Sequence, residues 1–546
     1  MPDKKTDKSI LGALKSPVYL RFFIISWLYM LIVYFSTYAN GLVNQWDGIW
    51  EYSYYKAGKW SISCGRWLWP YLDRLRLGIS VEPVTTMLTC ALFALGFAVA
   101  VYFLAGEAES LKRYYVAAFL LLGSTSVCIS LSYRFMSPTY GVAFVLAILA
   151  TGMLSRNGFF MRQKKGGGGG NLRYHITEIV LCGFLIAAQM GLYQAYIGCT
   201  GVFAIVLLLD RLSTEEVSFK DIMAMIGRFA ASLVLGGVLY VVGLKIHLKF
   251  AHVALDSYKG ADSYGLLNTL KSLGSSFVRA YSEFWNFFFG HSHRYTVFLN
   301  IKPLHVALMA LVVIALAVGL LVHVIKIFKQ DVKKGIVAAV LALLIPTGCN
   351  IVLFIATSAD YSLQMTVALA LCIPVVLCLV EKHVEAVGSS LLKAYKVVRT
   401  CTLVLLLYGV VMQTEVDQEA MRVGMESVGN VARDVVTDVR AEDLLATDKT
   451  LCVVGVPAGN EFYYLSRACD GANQYAAFGA WGTWACVQSW RGVFHNLLEL
   501  NVEMAEKPTY EYIIGSDEFK AMPCYPNAGY IKEIDGIVAV KISEAY

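Results

Sequence analysis

The chain contains about eleven long apolar runs, and these limit its fold more than any other feature. An α-helix needs roughly 20 apolar residues to cross the hydrocarbon core of a membrane. The runs are 22–41, 83–105, 114–132, 139–154, 175–191, 194–209, 229–248, 304–325, 335–356, 362–381 and 400–414. The mean hydropathy is +0.57 and only 16% of the residues are charged, against roughly 25% in a soluble domain. The sequence therefore predicts a polytopic α-helical membrane protein with about 11 transmembrane helices.

The lysines and arginines of the connecting segments predict the orientation of these helices. They concentrate on the side of the N-terminus, at 112–113, 156–173, 211–228, 326–334 and 382–399. Cytoplasmic loops carry an excess of positive charge, so the N-terminus is predicted to be cytoplasmic. The first run is then a retained signal anchor. Two long segments, 42–82 and 249–303, and everything after Thr414 are predicted to lie outside.

The composition changes after Thr414. Residues 1–414 carry 36 basic and 20 acidic side chains, whereas residues 415–546 carry 10 basic and 20 acidic ones. We therefore predict a transmembrane domain at 1–414 and a small α/β extracytoplasmic domain at 415–546. An amphipathic helix over 415–446 begins this domain, and strand-like runs start at 451, 510 and 536. The acidic C-terminal part argues against nucleic acid as a partner.

The first external segment is rich in polar and aromatic side chains. Residues 44–77 hold five of the ten tryptophans, together with acids and a series of basic residues that includes Lys59. A carboxylate at Asp47, just past the first apolar run, could deprotonate a sugar hydroxyl. The alternative is that Asp47 is a solvated loop acid or the N-cap of the helix that follows.

Two arginines are candidates for binding an anionic group. Arg66 could hold a phosphate bidentately, and the alternative is an interfacial arginine among aromatic-belt residues. Arg134 lies in SLSYRFMSPTY, at the external end of a hairpin between two apolar runs. An arginine at that depth is costly unless it is paired. We expect it to meet an anionic lipid head group or an acid such as Asp47 or Asp360.

The second external segment contains an amphipathic stretch and a basic one. Apolar residues recur at spacings of three and four between Leu267 and Phe284, which predicts a helix along the membrane surface. The segment GHSHRY follows and contains His291, His293 and Arg294. Two histidines at i, i+2 make a weak metal signal without a third ligand, so these residues are interpreted as phosphate contacts or plain surface.

No metal site is predicted from the cysteines either. The thirteen cysteines show no CxxC spacing and no accompanying histidine pattern. Those of the predicted external domain could form a disulfide in an oxidising compartment, with a pairing that the sequence does not specify. They are Cys452, Cys469, Cys486 and Cys524.

Four short motifs are spread over most of the chain. They are GRWL at Gly65–Leu68, SYRF at Ser132–Phe135, YQA at Tyr193–Ala195 and MPCYPNAGYIKEIDGIVAVKIS from Met522 onward. Together they resemble the bacterial O-antigen glucosyltransferase type II family, membrane enzymes of the GT-C class, and the C-terminal motif is the most specific of the four. The resemblance implies a GT-C-like fold in the bacterial inner membrane and a transferase that works outside the cytoplasm.

The resemblance also implies a reaction and roles for particular residues. Such enzymes typically move a hexose, often glucose, from a polyprenyl-phosphate carrier to a surface glycan such as O-antigen. The role of base falls on Asp47. The resemblance gives Arg66 and Arg134 as candidate phosphate contacts. To these we add Arg294 and Lys59 as further candidates, and Trp46, Trp50 and Trp60 as candidate sugar-stacking rings. No nucleotide or other cofactor is implied.

Two positions depart from the family pattern. Trp46 stands where the first loop usually has the first acid of a pair, and Met136 stands where an acid is expected after SYRF. These departures leave Glu51 as a second candidate base. They also leave open the sugar and any dependence on a metal ion.

Two other classes of protein remain as alternatives. A transporter or flippase of lipid-linked sugar would need acids and broken helices at mid-membrane, whereas the ionisable residues here cluster near the ends of the runs. A non-catalytic glycan-assembly protein would tolerate alanine at Asp47 and Arg66. The acceptor, the linkage and the oligomeric state are not specified by the sequence.

Overall fold

A computed structural model of the chain describes residues 12, 16–155, 172–258, 270–290, 297–300, 303–357, 363–384, 390–446 and 448–546. Arg294, both histidines of GHSHRY and Asp360 lie outside these ranges. Helices of eight or more residues are numbered in chain order. They are α1 (Pro17–Val33), α2 (Val84–Ala105), α3 (Tyr115–Leu122), α4 (Thr125–Ser132), α5 (Ser137–Ser155), α6 (Leu172–Leu192), α7 (Ile197–Leu212), α8 (Phe219–Ala251), α9 (Leu273–Phe289), α10 (Pro303–Gln330), α11 (Val332–Leu343), α12 (Val367–Val384), α13 (Ser390–Ala441) and α14 (Lys507–Gly515).

The helical part is that of a multi-pass membrane protein. Eight helical segments among the described residues are long and apolar enough to cross a membrane, and the bent pair α3 and α4 makes a ninth. The eight lie in α2, α5, α6, α7, α8, α10, α12 and α13. Within the part of the chain that the structure describes, the number of spans is therefore two or three below the predicted eleven.

Breaks within apolar runs account for the difference. In the first run, α1 covers 17 residues and a separate short helix, Phe35–Ala39, follows it. In the run 335–356, α11 ends at Leu343 and a new short helix starts with Pro346 in its first turn. Proline lacks the N–H group that a continuous helix requires. Between α3 and α4 the axis bends by 50°.

The helices differ in how far they are buried. The apolar stretch of α12 is buried over its whole length, whereas only 22% of that of α10 and 28% of that of α8 is buried. Apolar side chains that are exposed over the length of a helix are unfavourable in water and stable in lipid. We therefore place α12 at the centre of the bundle and α8 and α10 at its periphery.

Helix α13 joins the bundle to the C-terminal part of the chain. Its 52 residues correspond to about 78 Å at about 1.5 Å per residue, far more than the roughly 30 Å of a hydrocarbon core. The predicted span 400–414 and the predicted amphipathic helix are thus one continuous helix. Beyond the apolar stretch, its buried side chains include Ala420, Val428 and Val435, on the side that packs against the C-terminal domain.

The C-terminal domain contains a four-stranded mixed sheet. Its strands are β1 (Thr450–Val454), β2 (Glu503–Met504), β3 (Ile531–Ile534) and β4 (Ile537–Lys541), in the order β2-β1-β4-β3. Strand β1 is parallel to β2 and β4, and β3 is antiparallel to β4. The strands predicted at 451 and 536 are confirmed. The strand predicted at 510 is wrong, because that segment forms α14, which starts with Pro508 in its first turn.

Strands β3 and β4 form a tight hairpin that the sequence interpretation missed. Asp535 and Gly536 connect them with φ angles of +48° and +78°. Two positive φ values are the signature of a type I′ turn, which favours Asp-Gly.

The C-terminal motif packs against α13. Tyr525 Oη donates to Asp434 and Tyr530 Oη donates to Asp438, both at 2.7 Å. The ammonium group of Lys541 is buried and donates to the Met522 carbonyl oxygen at 3.0 Å. These contacts give the motif from Met522 onward a structural role in fixing the domain to the helix.

All thirteen cysteines carry free thiols. The disulfide considered for the C-terminal domain is therefore not formed in this structure. Cys452 lies within β1, and Cys486 begins the short helix Cys486–Gly492.

Candidate active site

The short helix Asp47–Trp50 carries the predicted base at its first position. Asn44 precedes this helix, and its Oδ1 accepts the backbone N–H groups of Trp46 and Gly48 at 3.1 Å each. Its Nδ2 donates to the Ser132 carbonyl oxygen at 3.1 Å, which fixes the turn against the end of α4. The N-cap residue is Trp46 and Asp47 is the first residue of the helix, so the N-cap interpretation of Asp47 is wrong. The Asp47 side chain is half-buried.

Glu51 lies one helical turn after Asp47. Its backbone N–H donates to the Asp47 carbonyl oxygen at 3.0 Å. Burial, together with the nearby charge of Asp47, raises the pKa of Glu51 to about 7. The two acids are therefore electrostatically coupled, and Glu51 changes its charge near neutral pH.

The GRWL and YQA motifs meet in space. Gln194 donates from Nε2 to the Cys64 carbonyl oxygen at 2.8 Å, and Tyr240 Oη donates to the Gly65 carbonyl oxygen at 3.1 Å. Gly65 has a φ of +84°, and a Cβ atom there would collide with the Gln194 amide. Glycine is required for both reasons. The two motifs therefore form one unit that positions Arg66.

Arg66 is surrounded by aromatic rings and a thioether. Its Nη1 lies 3.8 Å from Met136 Sδ, and its guanidinium carbon lies 5.1 Å from the ring centre of Tyr193. Burial acts to lower the pKa of Arg66, but the phenol groups of Tyr193 and Tyr140 act in the opposite direction, and the net pKa is above its usual value. Arg66 forms no ion pair with a carboxylate of the described residues, and its buried Nε lacks a hydrogen-bond partner. The Arg66 guanidinium therefore carries a permanent positive charge that forms no ion pair with an acid of the described residues.

Arg134 lies in the turn after α4 and is buried. Its Nε donates to the Tyr52 carbonyl oxygen at 2.9 Å, and its guanidinium lies 3.9 Å from the centre of the Tyr52 ring. These contacts attach the SYRF turn to the first loop.

Arg76 makes a second attachment that the sequence interpretation missed. Its Nε donates to Asp73 Oδ1 at 2.5 Å, and its guanidinium also donates to the Phe135 carbonyl oxygen. Asp73 Oδ2 in turn accepts the backbone N–H of Ala57 at 2.7 Å. The loop 42–82 is thus held to the helical bundle by buried polar contacts. A basic residue three positions after an acid is too common a pattern to have indicated this.

The remaining predicted residues have different surroundings. Trp46 is buried, with an exposed fraction of 8%, and Trp60 is 53% exposed, with its ring 5.7 Å from that of Tyr258. Lys59 is exposed at the start of a short helix. Among the described residues, no group of three or more His, Cys, Asp or Glu could hold a metal ion.

The C-terminal domain contacts the helix Asp47–Trp50 directly. Trp50 Nε1 donates to Ser489 Oγ at 3.0 Å, and Asn496 Nδ2 donates to the carbonyl oxygens of Ile49 and Trp50 at 2.8 and 2.9 Å. Gln45 Nε2 donates to the Gln474 carbonyl oxygen at 2.7 Å. The candidate base is therefore held between the first loop and residues of the C-terminal domain that lie more than 400 positions later in the sequence.

Comparison with protein families identifies the chain. The family model described as glucosyl transferase GtrII matches residues 51–373, more than half of the sequence. The chain belongs to this family. Membership implies a glycosyltransferase with a sugar donor and an acceptor. No curated protein and no solved structure matches the chain.

The family match covers only part of the candidate site of this glucosyltransferase. It includes Glu51, Arg66 and Arg134, but it starts four residues after Asp47. It also ends before the C-terminal motif from Met522, the most specific of the four motifs. The contacts around Asp47 and those of the C-terminal domain are therefore properties of this chain rather than of the matched region.

A buried carboxylate on α13 fixes the C-terminal part of the site. Asp417 accepts the backbone N–H of Asn473 at 2.8 Å, its Nδ2 at 2.9 Å and Tyr475 Oη at 2.7 Å. Gln413 Nε2 donates to the same group at 3.1 Å. The Tyr475 carbonyl oxygen accepts the backbone N–H of Gln45 at 3.4 Å. Asp417 thus connects α13 with the segment that leads to Asp47.

Proposed function

We propose that this glucosyltransferase moves a hexose, glucose by family, from a polyprenyl-phosphate carrier to a cell-surface glycan such as O-antigen. Family membership carries the proposal, because it supplies the reaction class. Two acids lie in one loop between membrane helices with Arg66, which pairs with no carboxylate of the described residues, and this arrangement suits a lipid-phosphate donor. Such a donor needs a base for the acceptor and a cation for the leaving phosphate.

We further propose that the reaction takes place on the extracytoplasmic face of the bacterial inner membrane, with the N-terminus in the cytoplasm. The three segments predicted to be external contact one another, which supports a common side. Gln45 of the first loop contacts the C-terminal domain, and the backbone N–H of Val297, from the second loop, donates to Asn473 Oδ1 at 3.1 Å. The excess of lysine and arginine at the opposite ends of the helices supports the orientation.

In the proposed step, Asp47 accepts the proton of an acceptor hydroxyl. The hydroxyl oxygen forms a bond to the anomeric carbon of the donor while the bond from that carbon to the phosphate oxygen breaks. The electron pair leaves with polyprenyl phosphate, which gains one negative charge. The anomeric configuration is inverted. Arg134 is a second candidate for contacting the phosphate, and Trp50 and Trp60 are candidates for contacting sugar.

The unpaired charge of Arg66 would stabilise the leaving phosphate. Arg66→Ala is expected to lower kcat/KM for the donor about 100-fold, because the charge that develops in the transition state loses its cation. Arg66→Lys should retain part of the activity, since it keeps the charge without the bidentate geometry. The measurement is the initial rate against donor concentration.

Arg74→Ala is the matched control for Arg66. Arg74 belongs to the same loop, but its guanidinium is exposed and stacks on Tyr71 at 5.3 Å. Its replacement should leave kcat/KM for the donor unchanged. Equal effects of the two alanine variants would exclude a specific role of Arg66.

Glu51 gives an expected pH dependence. Because its pKa is raised to about 7, Glu51 is neutral below and charged above that pH. A second negative charge beside Asp47 favours transfer of the acceptor proton to Asp47, so the rate should rise as the pH passes through 7. In Glu51→Gln this rise should be absent. A rise of the same size in the variant would assign the titration to another group.

The proposed function is tested with radiolabelled polyprenyl-phosphate glucose. Purified protein in lipid vesicles is given this donor and O-antigen polysaccharide from the source bacterium, and the label in the polysaccharide is counted. Transfer is expected, whereas movement of labelled donor across the bilayer without transfer would favour a flippase. If the label neither reaches the polysaccharide nor crosses the bilayer, a non-catalytic assembly protein is favoured.

A further inference from the structure

Three tryptophans lie close together in the segment of the C-terminal domain that contacts the helix Asp47–Trp50. Trp481 and Trp490 are fully buried, with their ring centres 5.4 Å apart and their planes at 87°. Trp490 Nε1 also donates to the Gly455 carbonyl oxygen at 2.9 Å. Trp484, between them in sequence, is instead 71% exposed. The two buried tryptophans therefore fix the segment in the core of the domain, and the side chain of Trp484 is exposed on its surface.

Trp484 borders the candidate active site. Its ring centre lies 6.0 Å from that of Trp50, and the two planes stand at 80°. Trp50 ends the helix that begins with Asp47, and Glu51 follows directly. The two rings thus form an aromatic corner, of which Trp50 lies within one helical turn of both acids.

The surroundings of Trp484 favour a sugar over lipid. Its exposed neighbours Thr483 and Gln488 are polar. Another exposed tryptophan, Trp285 on α9, is 63% exposed and shares its helix with exposed Val278 and Phe277. An apolar helical face of that kind suits a membrane surface. A pair of rings beside polar neighbours suits a ligand with one apolar face and several hydroxyl groups.

We propose that Trp484, together with Trp50, forms a binding subsite for a hexose unit of the acceptor glycan. This inference rests on the proposed function. The acceptor is favoured over the donor because the cation for the donor phosphate, Arg66, contacts side chains next to the membrane helices, such as Met136 and Tyr193. Trp484 comes from the C-terminal domain. The acceptor would then approach Asp47 from the side of that domain.

The subsite predicts a selective change in acceptor binding. Trp484→Ala should raise KM for O-antigen polysaccharide roughly tenfold, because the stacking contact is lost. KM for polyprenyl-phosphate glucose should stay within a factor of two of the wild type. Trp484→Phe, which keeps a ring, should recover most of the affinity for the polysaccharide. Trp285→Ala removes a tryptophan of similar exposure and should change neither constant.

The outcomes separate this inference from the function on which it rests. An unchanged polysaccharide KM in Trp484→Ala, or an equal rise of both constants, overturns the subsite while transfer by the wild type still supports the function. Failure of Trp484→Phe to recover affinity also counts against stacking. Absence of transfer by the wild-type protein overturns the proposed function, and the subsite with it.

Discussion

Replacement of Asp47 by Asn is expected to lower kcat for glucosyl transfer by about 1,000-fold. The amide keeps the size of the carboxylate but cannot accept the proton of the acceptor hydroxyl, and general base catalysis contributes roughly 100- to 10,000-fold. The helix that carries Asp47 is held by Asn44, Gln45 and Asn496. The fold should therefore survive. The measurement is the single-turnover rate at saturating donor, together with the thermal stability of the purified variant.

Glu51→Gln is the matched comparison for Asp47→Asn. Both changes remove one carboxylate from the same short segment, so a general loss of negative charge would affect them alike. We expect Glu51→Gln to lose only the pH dependence near 7 and to retain most of its rate at low pH. If Glu51→Gln is inactive and Asp47→Asn is active, then Glu51 is the base, and the assignment of Asp47 is refuted.

Replacement of Asp417 by Ala is expected to cause the largest loss of stability. The carboxylate accepts hydrogen bonds from Asn473, Tyr475 and Gln413, which are all fully buried. Alanine would leave the backbone N–H and Nδ2 of Asn473 and the hydroxyl of Tyr475 without this acceptor, at about 1–3 kcal/mol for each group that finds no new partner. Gln413 keeps its hydrogen bond to the Gly471 carbonyl oxygen. The expected total is about 3 kcal/mol or more. This should lower the apparent melting temperature in detergent by about 6 °C or more and expose the C-terminal domain to limited proteolysis.

Glu419→Ala serves as the control for Asp417→Ala. Glu419 lies on the same helix, but its ion pair with Arg422 is partly exposed, and such pairs contribute roughly 0–1 kcal/mol. Its replacement should barely change the melting temperature. Asp417→Asn should lower the melting temperature by a similar amount to Asp417→Ala, because the NH₂ group of the new asparagine would face hydrogen-bond donors such as Tyr475 Oη. A melting temperature close to that of the wild type in both Asp417 variants would mean that Asp417 does not hold the domain.

The sequence predicted the membrane helices because lipid selects for apolar composition over a fixed length. It did not predict where these helices break. The run that contains Pro346 reads as one apolar stretch, but it is divided into separate helices. The segment at 510 has the composition of a strand, yet Tyr510 and Ile513 are buried three positions apart, as in a helix. Short segments of this kind take their structure from packing rather than from their own propensity.

The motifs GRWL and YQA could be recognised in the sequence, and so could Asp47, Arg66 and Arg134. The contacts that bring these motifs together in space could not be predicted from the sequence. Only the tertiary structure brought Gln194 against Cys64 and Gly65, and only there is the positive φ of Gly65 explained. Arg76 and Asp417 were not singled out, because a charged residue gives no sign in the sequence that it will be buried among polar partners.

The sequence by itself determined that this chain is a multi-pass membrane protein of a glucosyltransferase family with a compositionally distinct C-terminal domain. Hydrophobicity and charge act locally, so each run and each loop reveals its own environment. Only the tertiary structure decided that the C-terminal domain holds the helix of Asp47. That relation depends on contacts such as the one between Gln45 and Gln474, which are 429 positions apart. Pairs so distant are joined by the packing of the whole bundle, which no local pattern encodes.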